Sequence, residues 1–398
     1  MMNGIKWNQH KWLASSLIIM ALTLVGMNFL MGNKPIVCRY QHEWYWPALK
    51  GKLSAGTLLA KDLLDLGAGD FSKLHYQFVV WPLLHKDPQQ THTQYAWLPP
   101  GAKTNEGLKF SLGTYELGKD VLSGCLTGFS RSMWLALLSM FWSIVVGSLL
   151  GSWPVYQSVK LPRWSIMSII LLGIGFVWLT IVLLSALEQR VHHMIFYVQL
   201  IAGCLIFVLL SAGMVNKSPQ TRFSSDRWSL AYLEIFKSIP AVIFLLILIQ
   251  LFPQPGLLLF SLIIAFLYTP IIVKYSRAFA YNIMTKPFLE ALTISGASNH
   301  RIYFRHVLPM VFMDLFPIAI LGMANIILLE TSLSFLGLGF SVDTISLGSL
   351  LQSARSNPSA WWVVLFPGGL IFWMVFTLQS FGKALGNSTG ARNISLEG

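Results

Sequence analysis

The sequence predicts an all-α protein, a polytopic bundle of transmembrane helices, and three observations carry that reading. Of its 398 residues, 55% are hydrophobic and only 11% charged, with a mean hydropathy of +0.61. A soluble domain of this length carries about a quarter charged residues, so lipid is the main solvent. The apolar residues gather in about eight continuous runs, near 12–31, 133–153, 164–187, 194–214, 236–252, 257–276, 310–332 and 361–381. A helix of ~20 apolar residues crosses ~30 Å of hydrocarbon, whereas a barrel strand would alternate over about 10. The third observation is the placement of Lys and Arg.

With the N-terminus in the cytosol, the short inside segments hold Lys160, Arg163, Lys217, Arg222, Arg227, Arg277, Lys286, Arg301, Arg305, Lys383 and Arg392. The short outside loops hold only Arg190 and Arg355. That asymmetry is the positive-inside pattern, and it puts both termini in the cytosol. It also accounts for the net charge of +12 without a nucleic-acid partner.

The first run, Trp12 to Met31, follows Lys6 and Lys11. It is longer than the core of about 7–15 residues found in a signal peptide. No small-x-small site precedes Asn33, so it is expected to stay as the first span. The expected organisation is then a cytosolic N-terminus and first span at 1–32, an extracytoplasmic segment at 33–131 and a second span at 132–158. A helix pair follows at 159–215, then a core at 216–385 with its longest inside loop at 277–309, and a cytosolic tail at 386–398.

The outer segment has nearly balanced charge and carries Trp44, Tyr45, Trp46, Trp81 and Trp97 beside Pro82, Pro88, Pro99 and Pro100. That mix suggests a small folded region or a segment lying on the membrane interface. Cys38 and Cys125 fall in or near it and Cys204 in an apolar run; a Cys38–Cys125 disulfide and three unrelated thiols are both open.

Several chemistries are excluded. Gly118-Lys119 leads into Asp120 and Gly382-Lys383 into Ala384, so there is no phosphate-binding Gly-x-x-x-x-Gly-Lys-Ser/Thr loop. There is no His-Glu-x-x-His and no nucleophile elbow. His192 and His193 are adjacent and do not share a helical face. No catalytic residue, metal ligand or cofactor is expected.

The most informative stretch is Phe288-Leu289-Glu290-Ala291-Leu292-Thr293-Ile294-Ser295-Gly296-Ala297-Ser298, running on to Arg305-His306-Val307-Leu308-Pro309. It reads as helix, break, helix. Pro287 suits a first turn, and Glu290 falls near the positive end of the dipole. Phe288, Leu289 and Leu292 form an apolar stripe. Gly296 permits the left-handed backbone that stops the helix, and Ser298 can cap the next one. Such a helix lies on lipid or plugs into a partner's groove.

This stretch resembles the EAA loop of ABC importer permeases, with Leu292 in place of the second Ala, and Arg305 to Pro309 is similar to the form found in the dipeptide/oligopeptide/nickel branch. Two further segments resemble the same branch in the same order. Leu112 to Ser123 includes Gly113-Thr114-Tyr115-Glu116-Leu117-Gly118-Lys119-Asp120, with Tyr115 where the branch has Asp and Lys119 where it has Arg. Glu330-Thr331-Ser332-Leu333-Ser334-Phe335-Leu336-Gly337-Leu338-Gly339 is followed by Leu347 to Leu351, Trp361-Trp362 and Pro367-Gly368. Tyr40 to Pro47 is weakly similar to microcin-type oligopeptide permeases.

The resemblance implies the ABC permease fold, with two spans more than the usual six, in a bacterial inner membrane. It implies that Glu290, Ala291, Leu292, Gly296, Ala297, Leu308 and Pro309 belong to a loop, centred on 286–299, that couples to an ATPase. It implies as partners a second homologous permease, two ATP-binding subunits and an extracytoplasmic substrate-binding protein. Glu330, an intramembrane acid, and Ser334 are candidates for the translocation path, with a capping role for Glu330 at a helix break beside Ser334 equally open. An ion-gradient-driven secondary transporter using Glu330 is the alternative. Asp314 reads as a solvated or Arg-paired helix end, and Lys274 as a snorkelling cation. Pro240, Pro270 and Pro317 are candidate kinks.

Overall fold

The computed structural model describes residues 15–24, 26, 37–40, 43–45, 77–80, 82, 90–102, 110–160, 233–234, 241–252, 255–339 and 344–395. The helices are α1 (Ser15–Leu24), α2 (Val121–Lys160), α3 (Ala241–Leu251), α4 (Leu257–Met284), α5 (Phe288–Ile294), α6 (Asn299–Ile302), α7 (Leu308–Phe335), α8 (Leu347–Ser353) and α9 (Trp362–Ser395). A π-helical turn, Tyr303–Val307, joins α6 to α7. Among the described residues, four stretches are long and apolar enough to cross a membrane: Val121–Gln157, Leu257–Met284, Asn299–Phe335 and Trp362–Asn387.

These four answer the expected runs near 133–153, 257–276, 310–332 and 361–381. The runs near 12–31 and 236–252 contain the shorter α1 and α3. The runs near 164–187 and 194–214, and with them Cys204 and the paired histidines, lie outside the described residues, as does Pro240. The chain is thus mainly helical, with one addition to the all-α expectation. A small antiparallel sheet in the outer segment has β1 (Val37–Tyr40) between β2 (Glu43–Tyr45) and β3 (Phe78–Val80). Cys38 sits at its centre, opposite Tyr45 and Val79, fully buried. Burial raises its thiol pKa. Cys38 and Cys125 are both free, so the disulfide is not formed.

The described residues divide into two compact units, Met1–Leu137 with Ile320–Gly398, and Leu138–Ala319. Helices α2 and α7 run through both.

In the first unit, α2 begins at Val121, well before the expected 132. The Asp120 carboxylate accepts the Ser123 backbone N–H at 2.9 Å, an N-cap. The polar residues that hid this start from a hydropathy reading have packing roles. Gly124 and Gly128 make room for α8: a Cβ would lie 3.1 Å from Leu350 at the first and 2.7 Å from the Leu347 nitrogen at the second. Helix α8 is itself held by a reciprocal Ser346–Ser349 capping box. Its Gly348 presses against the last turns of α7, where a Cβ would meet Thr331 and Ser334.

The Gly113–Asp120 segment is a knot at the start of α2. The Thr114 hydroxyl donates to the Tyr95 carbonyl at 2.6 Å and accepts from the Leu98 N–H at 2.8 Å. Its carbonyl accepts the Trp362 indole N–H at 3.0 Å, which ties the first residue of α9 to the knot. Gly113 has φ +81, and an added Cβ there would sit 2.6 Å from the Leu98 carbonyl. Tyr115 is buried beneath, and desolvation raises its hydroxyl pKa.

In the second unit, α2 and α4 meet along a seam of small residues. A Cβ on Gly147 would lie 2.8 Å from Ile272, and one on Gly151 2.6 Å from the Val273 carbonyl. Small residues four apart let two backbones approach in lipid. The approach brings hydroxyls within reach: Ser143 donates to the Ala265 carbonyl at 2.9 Å and Ser276 to the Ser148 carbonyl at 3.0 Å. Helix α3 adds a stacked Phe244–Phe266 pair at 5.6 Å. Pro154, Pro270, Pro317 and Pro367 lie inside α2, α4, α7 and α9.

Candidate functional site

The expected helix, break and helix is present between α4 and α7. Helix α5 starts after Pro287 and stops at a Schellman motif. Gly296 has φ +80; its N–H donates to the Thr293 carbonyl at 3.1 Å, and that of Ala297 to the Leu292 carbonyl at 3.2 Å. Gly296 is required for its backbone and not for space, since nothing lies within 4 Å of a Cβ there. Ser298 occupies the N-cap of α6 with no side-chain capping bond.

The stripe read from the sequence divides. Leu289 is buried, 1% exposed, and anchors the hairpin. Glu290, Ala291, Thr293, Ser295 and Gly296 are exposed, and Leu292 and Ala297 half-buried. Ile294 is 88% exposed, an apolar side chain held out at the tip, with Phe288 at the edge of the same surface. Ile294 was not singled out by the spacing argument, which followed the stripe of Phe288, Leu289 and Leu292. Leu308 is buried and Pro309 half-buried where the π turn enters α7. Proline has no N–H to give the carbonyl four residues back, and a π turn accommodates that gap.

The other face of the hairpin is fixed by rings. Tyr303 and Ser152 hydroxyls lie 2.8 Å apart, and the Tyr156 hydroxyl donates to the Asn299 carbonyl at 2.9 Å. Trp153 meets the Tyr303 ring edge-on at 4.7 Å and stacks with His300 at 5.9 Å.

Glu330 and Ser334, in the first unit, lie against each other. Glu330 is fully buried. Ser132 donates to its Oε2 at 2.7 Å and Ser334 to its Oε1 at 2.8 Å. Ser346 faces the same carboxylate and Arg131 is electrostatically engaged with it. Arg131 also donates to the Ile345 carbonyl at 2.7 Å. The carboxylate therefore joins α2, α7 and the start of α8. Ser132 and Arg131 were absent from the sequence argument; an intramembrane acid searching for donors is the signal that would have found them. Among the described residues, no cluster of His, Cys, Asp and Glu could hold a metal.

Comparison with known proteins places this geometry. Residues 219–389, which include the hairpin, Glu330 and α9, match the family model described as binding-protein-dependent transport system inner membrane component. The chain is 25% identical over 300 residues to the di/tripeptide transport system permease protein DppC of Pseudomonas aeruginosa, covering 75% of this chain and 78% of that one. It is 34% identical over 164 residues to a putative peptide permease protein of Brucella ovis, covering 40% of this chain and 54% of that protein. It is 34% identical over 163 residues to the oligopeptide transport system permease protein OppC of Escherichia coli, covering 40% of this chain. The chain spans about half the length of these last two relatives, 54% and 53%. The matched domain, these relatives and the apolar helices agree on a multi-pass inner-membrane protein whose residues 219–389 carry the binding-protein-dependent transport permease domain.

Proposed function

We propose that the chain is one half of the translocation path of an ATP-driven peptide importer, coupled to its motor through the hairpin at 286–299. The exposed tip of that hairpin carries the proposal. A large apolar side chain such as Ile294, 88% exposed beside Glu290 on a rigidly capped helix, is suited to a groove on a partner. The surrounding cations, Lys274, Arg277, Lys286, Arg301 and Arg305, support a cytosolic position for it. Both termini are then cytosolic as well.

Two ATP-binding subunits below, a second homologous permease alongside and a substrate-binding protein outside complete the assembly. ATP hydrolysis belongs to the ATP-binding subunits. Closure of their dimer moves the hairpin, and the spans alternate between inward- and outward-facing states. Peptide is the proposed cargo because the relatives' names are those of di/tripeptide, peptide and oligopeptide permeases. Glu330 and Ser334 belong, in this reading, to the frame of the path, with the carboxylate enclosed by serines.

The test is co-purification of the ATP-binding subunits with tagged chain carrying Glu290→Lys and Gly296→Pro together. Glu290 is exposed and nothing lies within 4 Å of a Cβ at position 296, so the lost left-handed turn disrupts the hairpin alone, and the spans are expected to stay folded while the ATPases are lost. Normal ATPase stoichiometry on the double variant would refute the coupling role.

A further inference from the structure

We infer that the end of α2 is a second output of the hairpin, driven through an aromatic clamp, and this rests on the coupling reading above. By covalent connection the hairpin moves only α4 and α7. The clamp adds a third helix. On the α2 side stand Ser152, Trp153 and Tyr156; on the hairpin side Asn299, His300, Tyr303 and Phe304. The two sets recur every three or four residues, so each presents one helical face to the other.

The contact is directional. Ser152 and Tyr303 are fully buried and hydrogen-bonded to each other at 2.8 Å. The Tyr156 hydroxyl reaches the Asn299 carbonyl at 2.9 Å, at the first residue of α6. Trp153 lies within 6.2 Å of the His300, Tyr303 and Phe304 rings, ring centre to ring centre. Hydroxyl bonds and interlocked rings transmit both pull and rotation, which an apolar contact alone resists poorly.

The clamp also joins two backbones where each departs from a regular ladder. Pro154 lies between Trp153 and Tyr156 and has no N–H for the Leu150 carbonyl. Tyr303 opens the π turn. Just before the clamp, α2 is pinned to α4 by Gly147 and Gly151 and by the Ser276 to Ser148 bond. A displaced hairpin therefore bends α2 between a fixed seam and a driven end. Trp153, Ser152 and Tyr303 are positioning residues for the transport cycle.

The experiment uses the whole complex, purified through a tag on this chain and reconstituted with its binding protein. Trialanine uptake and ATP hydrolysis are measured together for Trp153→Ala, Trp153→Phe and the Ser152→Ala/Tyr303→Phe pair. Trp153→Ala is expected to retain its ATPases and hydrolyse ATP while trialanine carried per ATP falls at least about fivefold, the lower end of allosteric coupling. Trp153→Phe should restore most of it. The Ser152→Ala/Tyr303→Phe pair removes only hydroxyls, keeping the rings at 153 and 303, and should show the same loss if Trp153→Ala fails to fold. Unchanged uptake per ATP in a complex with full ATPase content would overturn the clamp. So would loss of the ATPases from a folded Trp153→Ala chain, since the cluster would then only shape the docking face. Failure of the hairpin reading itself appears separately, as ATPase retention by the Glu290→Lys/Gly296→Pro variant.

Discussion

Replacing Glu330 by Ala is expected to destabilise the chain by about 3 kcal/mol. Its carboxylate accepts two serine hydroxyls, at 2.7 and 2.8 Å, and is fully buried. Interhelical hydrogen bonds in bilayers contribute on average about 0.6 and at most about 1.7 kcal/mol, so the two together give about 1–3. Alanine also strands Arg131, half-buried and left without the opposing charge. Removing one partner of a fully buried pair costs about 3–5 kcal/mol, and partial exposure puts Arg131 well below that. Glu330→Gln keeps one acceptor and adds a donor that a hydroxyl can accept, so about 1 kcal/mol is expected. The assay is reversible unfolding in mixed micelles by dodecyl sulfate titration, followed by tryptophan fluorescence. A double-mutant cycle with Ser132→Ala should return a coupling on the order of 1 kcal/mol. An alanine variant within about 0.5 kcal/mol of the parent, the range of an ordinary surface change, would refute the hub.

Two further outcomes test other parts of the structure. Gly151→Val should cost about 3 kcal/mol or more, because its Cβ would meet the Val273 backbone at 2.6 Å, while Gly256→Ala, with open space around it, should be close to neutral in the same titration. Tyr115 gives a pH dependence whose sign follows from burial. Its folded pKa lies above the ordinary 10.0, so the stability it contributes is complete below pH 10.0 and is lost as pH rises above it. Tyr115→Phe should flatten the alkaline arm of the stability curve; an unchanged arm would contradict the assignment.

Much of the fold was legible because lipid imposes one simple rule, ~20 apolar residues per crossing. It failed at the start of α2, where Gly124, Gly128 and Ser132 depress the hydropathy while serving helix contacts. Small residues at Ser143, Gly147 and Gly151 form a four-residue repeat that could have been read as a packing seam. At the hairpin, Pro287 and Gly296 were readable because their backbone demands are local. The outward direction of Ile294 was not, because both Leu289 and Ile294 are apolar, and only the tertiary anchor decides which is buried. Glu330 was recognisable as costly in lipid, but only its partner Ser334 is local; the others come from residues 132 and 346, and no local spacing encodes them. The sheet around Cys38 combines strands 37–40 and 78–80, too short and too distant to announce themselves.

The most direct check is a cysteine at Ile294, with Cys38, Cys125 and Cys204 replaced by serine, in intact cells. A bifunctional maleimide that crosses the membrane should join Ile294→Cys to an ATP-binding subunit, with a yield that changes between ATP-bound and nucleotide-free states. Labelling of the same cysteine by a membrane-impermeant maleimide added outside would put the hairpin on the wrong face and contradict the motor-coupled reading.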